Sequence, residues 1–233
     1  MPIAARSSSK SAPIWCACAR AFPGGRLSSH RSIGPAAVSP EQAQQSPLGA
    51  FVAVVGPSGA GKDTLIRLAA RHFARDDGFH FARRVVTRKA DPEAEDHAEI
   101  DEAEFERRQD ARDFALSWRA HGLGYGLDRS LLSRVSHGQT VIANISRRQI
   151  GDAAAVFPRL AVAHVVVAEP LLVERIVRRG RESREAAVER ARREAPLELP
   201  RAVWRVAEID NSGPVEQGLG RFLEFLEACQ PKV

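Results

Sequence analysis

Cysteine is scarce in this chain, with three among 233 residues. Cys16 and Cys18 lie close together near the N-terminus and Cys229 almost at the other end, so a disulfide scaffold is not expected. The lone C-x-C has no further ligands beside it and makes a poor metal motif, better read as two incidental cysteines. Apolar runs are short, and none approaches the length of a membrane span. No aromatic-and-basic repeat suggests a platform for a nucleic-acid strand. Acidic residues are few in the first 47 positions, which are rich in Ala, Ser, Pro, Gly and Arg and show no sustained period. Residues 1–47 therefore read as a mostly disordered extension. They superficially resemble a transit peptide, but a secretory signal would need a clean apolar stretch that they lack. The expectation is a cytoplasmic protein with neither membrane nor nucleic acid as partner.

What remains, residues 48–233, has the composition of a soluble globular domain. Over the whole chain hydrophobic residues are 44% and charged residues 27%, and the formal net charge is +5, which favours anionic ligands. "AFVAVVG" is an apolar, β-branched run that predicts a buried strand. A glycine loop follows, then "DTLIRLAARHFAR" with helical spacing. "FHFARRVVTRK" reads as a strand passing into a basic loop, and "DPEAEDHAEIDEAEFERRQDA" as an acidic segment whose second half is helical and exposed. "FALSWRAHGLGYGLD" alternates around glycines and predicts a small sheet with tight turns. Beyond it, "QTVIANIS" and "LAVAHVVVAE" read as core strands, "RSLLSRVSHG", "RRQIGDAAAVF" and "PLLVERIVRRG" as helices, and "ESREAAVERARRE" as a highly charged helix. "AVWRVAEIDN" is a last strand and "PVEQGLGRFLEFLEA" an amphipathic closing helix. This alternation predicts an α/β fold with a parallel sheet covered on both faces. Residues 79–128 interrupt it and predict an inserted acceptor-binding subdomain; about 175–194 predicts a lid hinged at Gly180.

The loop "GPSGAGKDT" has the G-x-x-x-x-G-K spacing of a phosphate-binding loop, with a strand before it and a helix after it. Gly56, Gly59 and Gly61 let the backbone curl with its N–H groups inward, and Pro57, Ser58 and Ala60 complete the nest. Lys62 can reach the β- and γ-phosphates and neutralise charge as it develops, which makes it the first catalytic candidate. The next position usually carries a Ser or Thr that holds Mg²⁺; here it is Asp63, with Thr64 following. Asp63 either ligands Mg²⁺, directly or through water, or caps the helix, where negative charge is favourable. Thr64 keeps a hydroxyl able to donate to a phosphate. ATP with Mg²⁺ is the expected cofactor set.

A phosphotransferase also needs positive charge around the acceptor and over the transferred group. Two arginine groups meet that need: Arg83, Arg84 and Arg88, with Thr87, in "ARRVVTRK", and Arg178, Arg179 and Arg181 in "VRRGRES", followed by Arg190. Arg178 and Arg181 are the catalytic candidates of the second group, and Arg179 equally suits a helix surface.

With these motifs the chain resembles the guanylate kinase-like branch of nucleoside monophosphate kinases, and within it the ribose 1,5-bisphosphate phosphokinase family of phosphonate catabolism. The likeness runs from Leu48 to the C-terminus through "GPSGAGKDT", "RRVVTR", "EDH", "FALSWRAHGLGYG", "VIANISR" and "RRGRES". It implies a P-loop kinase architecture that phosphorylates ribose 1,5-bisphosphate with ATP, giving 5-phosphoribosyl 1-pyrophosphate and ADP. It matches Thr87 and Arg88 to acceptor-phosphate contacts, Tyr125 to a hydrogen bond with the acceptor phosphate, and His121, Gly122 and Gly126 to the same motif. It matches Arg190 to the later lid arginine.

The departures bear on the substrate. Arg84 stands where a serine would help read guanine, Leu116 where a guanine-reading glutamate would stand, and Arg119 in place of a second acid. Asn144, Ile145 and Ser146 replace an Asp-Ile-Asp. A guanine site loses discrimination when its buried acceptor becomes leucine, whereas a bisphosphate without a base suits added arginine and fewer carboxylates. Arg84, Leu116, His121 and Asn144 thus join Thr87, Arg88 and Tyr125 as acceptor-side candidates. His97 is either a surface residue or a substrate ligand. Two other readings stand beside this one: a nucleoside monophosphate kinase of altered base preference, and a non-catalytic guanylate kinase-like module. The retained Lys62 and arginines weigh against the module. A homodimer is open, since no interface is identifiable.

Overall fold

The computed structural model describes residues 47–87, 97–120, 122–178, 188–189 and 197–232, all within a compact unit spanning Gln44–Val233. In chain order the strands are β1 (Phe51–Val55), β2 (Phe79–Phe81), β3 (Arg84–Val86), β4 (His97–Glu99), β5 (Phe114–Ala120), β6 (Leu123–Asp128), β7 (Thr140–Asn144), β8 (Leu160–Val166) and β9 (Arg205–Asp210). The helices are α1 (Lys62–His72), α2 (Glu102–Asp110), α3 (Ser130–Ser136), α4 (Ile150–Val156), α5 (Glu169–Arg178) and α6 (Val215–Cys229).

All five residues of β1 are buried. Because alternate side chains leave a strand on opposite faces, Val52 and Val54 enter one apolar cluster and Phe51, Ala53 and Val55 another. A strand buried on both faces reads as an unbroken apolar run and belongs in the middle of a parallel sheet. β1 is indeed the central strand of five, in the order β2-β7-β1-β8-β9, and every pairing is parallel. Leu65 and Ala69 of α1 and Phe222, Phe225 and Leu226 of α6 cover one face. Leu131 and Val135 of α3 with Ile150 and Ala153 of α4 cover the other.

A second sheet, β4-β3-β6-β5, is built on the β5–β6 hairpin. Leu116, Trp118 and Leu127 pack it into the second cluster. Its other face is closed by Phe105 of α2, fully buried with Val85 and Phe114. The glycines of "GLGYG" have a packing reason here. A Cβ on Gly124 would lie 2.9 Å from the Phe105 ring, and one on Gly126 would lie 2.5 Å from the Phe114 ring.

The parallel α/β sheet and the small second sheet are as expected, but "FHFARRVVTRK" is two strands, not one. Phe79–Phe81 pairs with β7 in the main sheet, and Ala82 still donates to the Ile142 carbonyl at 2.8 Å. The chain then crosses, and the second sheet begins at Arg84, later than the expected boundary at 79. The expected extension (apart from Pro47), most of the helix "ESREAAVERARRE" and most of the lid fall outside the described residues. No helix among the described residues is long and apolar enough to cross a membrane.

Candidate active site

The glycine loop leaves the C-terminal end of β1, in the middle of the sheet, where parallel α/β folds bind ligands. Gly56, Gly59 and Gly61 have φ of 145°, 94° and 89°, values that side-chain-bearing residues rarely adopt. Contact forbids a side chain as well. A Cβ on Gly56 would stand 2.2 Å from the Val165 carbonyl oxygen, and one on Gly61 would stand 2.5 Å from Nδ2 of Asn211. Pro57 and Ala60 are buried and Ser58 is exposed. Gly61 caps α1 without a side-chain bond, so the first N–H groups of the helix join the nest. Lys62 curls over the loop, its Nζ donating to the Gly56 and Pro57 carbonyls at 2.9 and 2.7 Å. Those bonds hold the ammonium across the mouth of the nest.

Asp63 lies in the first turn of α1. Its Oδ1 accepts a 2.7 Å hydrogen bond from Nδ2 of Asn144. The contact follows from the sheet: β7 is parallel to β1 with Val54 opposite Asn144, so the end of β7 faces the start of α1. Asn144 and Asp63, expected on the acceptor and nucleotide sides respectively, are thus one contact. Thr64 follows in the same turn, half-buried. A carboxylate, a hydroxyl and phosphate oxygens suit Mg²⁺, which keeps waters and takes one or two protein carboxylates. No group of three or more His, Cys, Asp or Glu among the described residues could hold a metal by itself.

Two residues from distant elements support the loop, and the first, Asn211 in "IDNSG", does so through its side chain rather than through the backbone contacts expected there. Asn211, at the end of β9, is 3% exposed, and its Nδ2 donates to the Ala60 carbonyl at 2.7 Å. Its Oδ1 is buried without a hydrogen-bond partner among the described residues and faces Gly218, where a Cβ would be only 2.6 Å away. Arg175 of α5 donates to the Asn211 carbonyl at 3.1 Å, which brings a guanidinium beside Gly61. Arg178 instead pairs with Glu174 at 2.8 Å, with its side chain 80% exposed. Arg181 and Arg190 lie outside the described residues. Between the loop and α5 is a cavity of about 240 Å³ lined by Pro57, Arg147, His164, Val166, Glu169 and Leu172, among others.

The second sheet places three of the acceptor-side candidates, Arg84, Leu116 and Tyr125, on one face. Trp118 and Val86 both stand opposite Tyr125. Strand alternation then puts Arg84 and Leu116 on that face too. The Tyr125 ring stacks on Trp118 with centroids 5.4 Å apart, and the Arg84 guanidinium lies 5.8 Å from the Tyr125 ring centre, a cation–π geometry. Leu116 is 5% exposed, within the core that backs this face. Thr87 is tied to Gly124: its hydroxyl accepts from the Gly124 N–H at 2.9 Å and its own N–H donates to the Gly124 carbonyl at 3.1 Å. Its O–H proton is left to donate. Arg119 points the other way, paired with Glu102 and, at 3.6 Å, with Glu106. Its charge is turned toward α2, so it adds nothing to the acceptor face. His97 is 2% exposed, which overturns its reading as a surface residue, and Arg83 donates to its carbonyl at 3.2 Å. Arg88 and His121 lie outside the described residues.

No family model matches the chain. Among curated proteins it is 43% identical over 187 residues to the ribose 1,5-bisphosphate phosphokinase of Brucella melitensis, covering 80% of this chain and 96% of that one. It is 40% identical over 185 residues to the enzyme of the same name from Rhizobium etli, covering 79% and 93%. A bifunctional ribose 1,5-bisphosphokinase-thymidine phosphorylase from Cupriavidus necator matches at 44% over 178 residues, 76% of this chain and 29% of that one. Among solved structures, guanylate kinase from Anaplasma phagocytophilum superposes with a TM-score of 0.57 at 16% identity, over 81% of this chain and 89% of that one; this shows the shared fold. The chain belongs to the ribose 1,5-bisphosphate phosphokinase family.

Proposed function

We propose that the protein transfers the γ-phosphoryl group of ATP to the 1-phosphate of ribose 1,5-bisphosphate, giving 5-phosphoribosyl 1-pyrophosphate and ADP. Family membership motivates the reading, and the observation that carries it is the acceptor face. Where the resemblance puts a guanine-reading carboxylate, a buried Leu116 shares a sheet face with Arg84 and Tyr125. That face offers a base no hydrogen-bond acceptor at this position, and it offers an anion a guanidinium.

An oxygen of the C1 phosphate attacks the γ-phosphorus as the bond from that phosphorus to the β–γ bridging oxygen breaks, and ADP takes the leaving charge. The attacking phosphate is already ionised near neutral pH, so no strong base is needed and the protein's work is alignment and charge neutralisation. The nest of residues 56–64 would hold the triphosphate and Lys62 would follow the charge onto the transferred group. Arg178, Arg181 and Arg190 are proposed to approach from the lid side. Arg175, with its guanidinium beside Gly61, is the described arginine best placed to reach bound nucleotide. Arg84, Arg88, Thr87, His121 and Tyr125 are proposed to take the acceptor phosphates, and Leu116 to leave a base unread. Mg²⁺, when bound with the triphosphate, supplies charge neutralisation across the β- and γ-phosphates.

The test is an acceptor panel with product structures assigned. ATP and Mg²⁺ are given with ribose 1,5-bisphosphate, and separately with GMP, AMP and dephosphorylated sugars. The bisphosphate should be converted fastest, to the pyrophosphate product. A GMP rate equal to or above it would overturn the reading in favour of a nucleotide kinase.

A further inference from the structure

In P-loop enzymes generally, Mg²⁺ is held by a Ser or Thr after the loop lysine together with an Asp at the end of a neighbouring strand. The loop contributes the neutral group and the strand the negative one. Here the loop position is Asp63, and the end of the strand beside β1 is Asn144. Neither substitution is interpretable alone. A carboxylate on the loop adds charge next to a triphosphate, and an amide on the strand removes the charge that would balance the metal. The 2.7 Å bond from Asn144 Nδ2 to Asp63 Oδ1 makes them a unit.

We propose that Asp63 and Asn144 are a charge-exchanged metal pair: the carboxylate has moved from strand to loop, and the neutral hydrogen-bonding partner from loop to strand. The sum is unchanged, one negative charge and one neutral polar group. The amide donates to one carboxylate oxygen, fixes the side chain's rotation and leaves Oδ2 to ligand Mg²⁺ directly or through water. Asn144 is thereby a positioning residue rather than an acceptor contact. It can serve in that place only as a donor, because an Asp would set two carboxylates at hydrogen-bond distance, where they cannot both stay ionised without a cation between them.

The inference rests on the kinase reading but not on the identity of the acceptor, so it is tested without acceptor. Calorimetry measures ATP binding with and without Mg²⁺ for the wild type, Asp63→Thr, Asn144→Asp and the double variant Asp63→Thr/Asn144→Asp. Melting of each in metal-free buffer without nucleotide checks the fold. Mg²⁺ should tighten ATP binding to the wild type, and Asp63→Thr should lose most of that gain. Asn144→Asp should melt lower than the wild type in metal-free buffer, where its two carboxylates face each other, and recover when Mg²⁺ is added. The double variant restores the usual order and should regain the Mg²⁺ effect, exceeding the product of the single-variant effects by about tenfold, a size that contacting residues reach. A double variant no better than that product, or Asp63→Thr keeping the full Mg²⁺ effect, would overturn the proposal and leave Asp63 as a helix-terminal charge. Wild-type protein that binds no ATP would overturn the kinase reading, and the pair's role with it.

Discussion

Helix α6 carries two glycines, Gly218 and Gly220, and alanine should act on them with opposite sign. In a helix interior glycine is less stable than alanine by about 1 kcal/mol. Around Gly220 nothing lies within 4 Å of an added Cβ, so Gly220→Ala should stabilise the protein by about 0.5–1 kcal/mol. Around Gly218 the same atom would stand 2.6 Å from Oδ1 of Asn211, 3.3 Å from its Cγ and 3.5 Å from its Cα. Asn211 has nowhere to go, because it is buried and its Nδ2 is bonded to the Ala60 carbonyl. Overpacking costs about 1–3 kcal/mol, more than the helix gains, so Gly218→Ala should destabilise by roughly 0.5–2 kcal/mol. At about 2–4 °C per kcal/mol for a domain of this size, the two variants should melt on opposite sides of the wild type.

Asn211 identifies the cause. In an Asn211→Ala background the obstructing amide is gone, and Gly218→Ala should stabilise much as Gly220→Ala does. Urea unfolding of the four proteins that combine these two changes, with m-values unchanged, gives the coupling directly, expected at about 1–3 kcal/mol. The same displacement should reach the phosphate loop, since Asn211 holds Ala60. KM for ATP should therefore rise in Gly218→Ala and Asn211→Ala and stay put in Gly220→Ala. If Gly218→Ala stabilises the otherwise wild-type protein as Gly220→Ala does, the packing account is wrong. If it destabilises but leaves ATP kinetics untouched, Asn211 supports the fold without positioning the loop.

Three further outcomes are expected. Lys62→Ala should lower kcat/KM by roughly 10²–10³-fold, the range for removing one donor aimed at developing charge; steady-state kinetics showing unchanged turnover would refute its role at the phosphates. Gly126→Ala should destabilise by about 1–3 kcal/mol in urea, because its Cβ would stand 2.5 Å from the Phe114 ring; a neutral result would mean the Phe114 contact is not tight. Cys229 is fully buried, and burial pushes its thiol up from an ordinary value near 9 to about 11. The folded state therefore keeps a proton that the unfolded state loses, so stability is full below pH 9 and declines as pH rises through 11; unfolding of Cys229→Ala across that window should lack the decline.

Much of the architecture was legible because it rests on local patterns. An apolar run without alternation marks a doubly buried strand, and the glycine-lysine spacing marks the nest, whatever lies elsewhere in the chain. The split of "FHFARRVVTRK" between two sheets was not legible, because its two halves are equally strand-like and only their distant partners, β7 and β6, separate them. The exposure of Arg178 was legible from helical periodicity. Leu172, Val173 and Ile176 form the buried stripe of α5, and at 3.6 residues per turn Arg178 falls on the opposite side, as its exposure bears out. Arg175 lies nearer that stripe and meets the loop. The contacts that most sharpen the site could not be read locally at all. Asn144 finds Asp63 across 81 positions and Asn211 finds Ala60 across 151. Each asparagine in isolation is only a polar residue at a strand end. Placed by the parallel register, one becomes the donor that fixes the Asp63 carboxylate, and the other the donor that holds the loop's backbone. The departure at Asp63 is therefore read through its partner: the fold sets the loop carboxylate against a neutral amide from across the sheet, a pairing that neither motif shows alone.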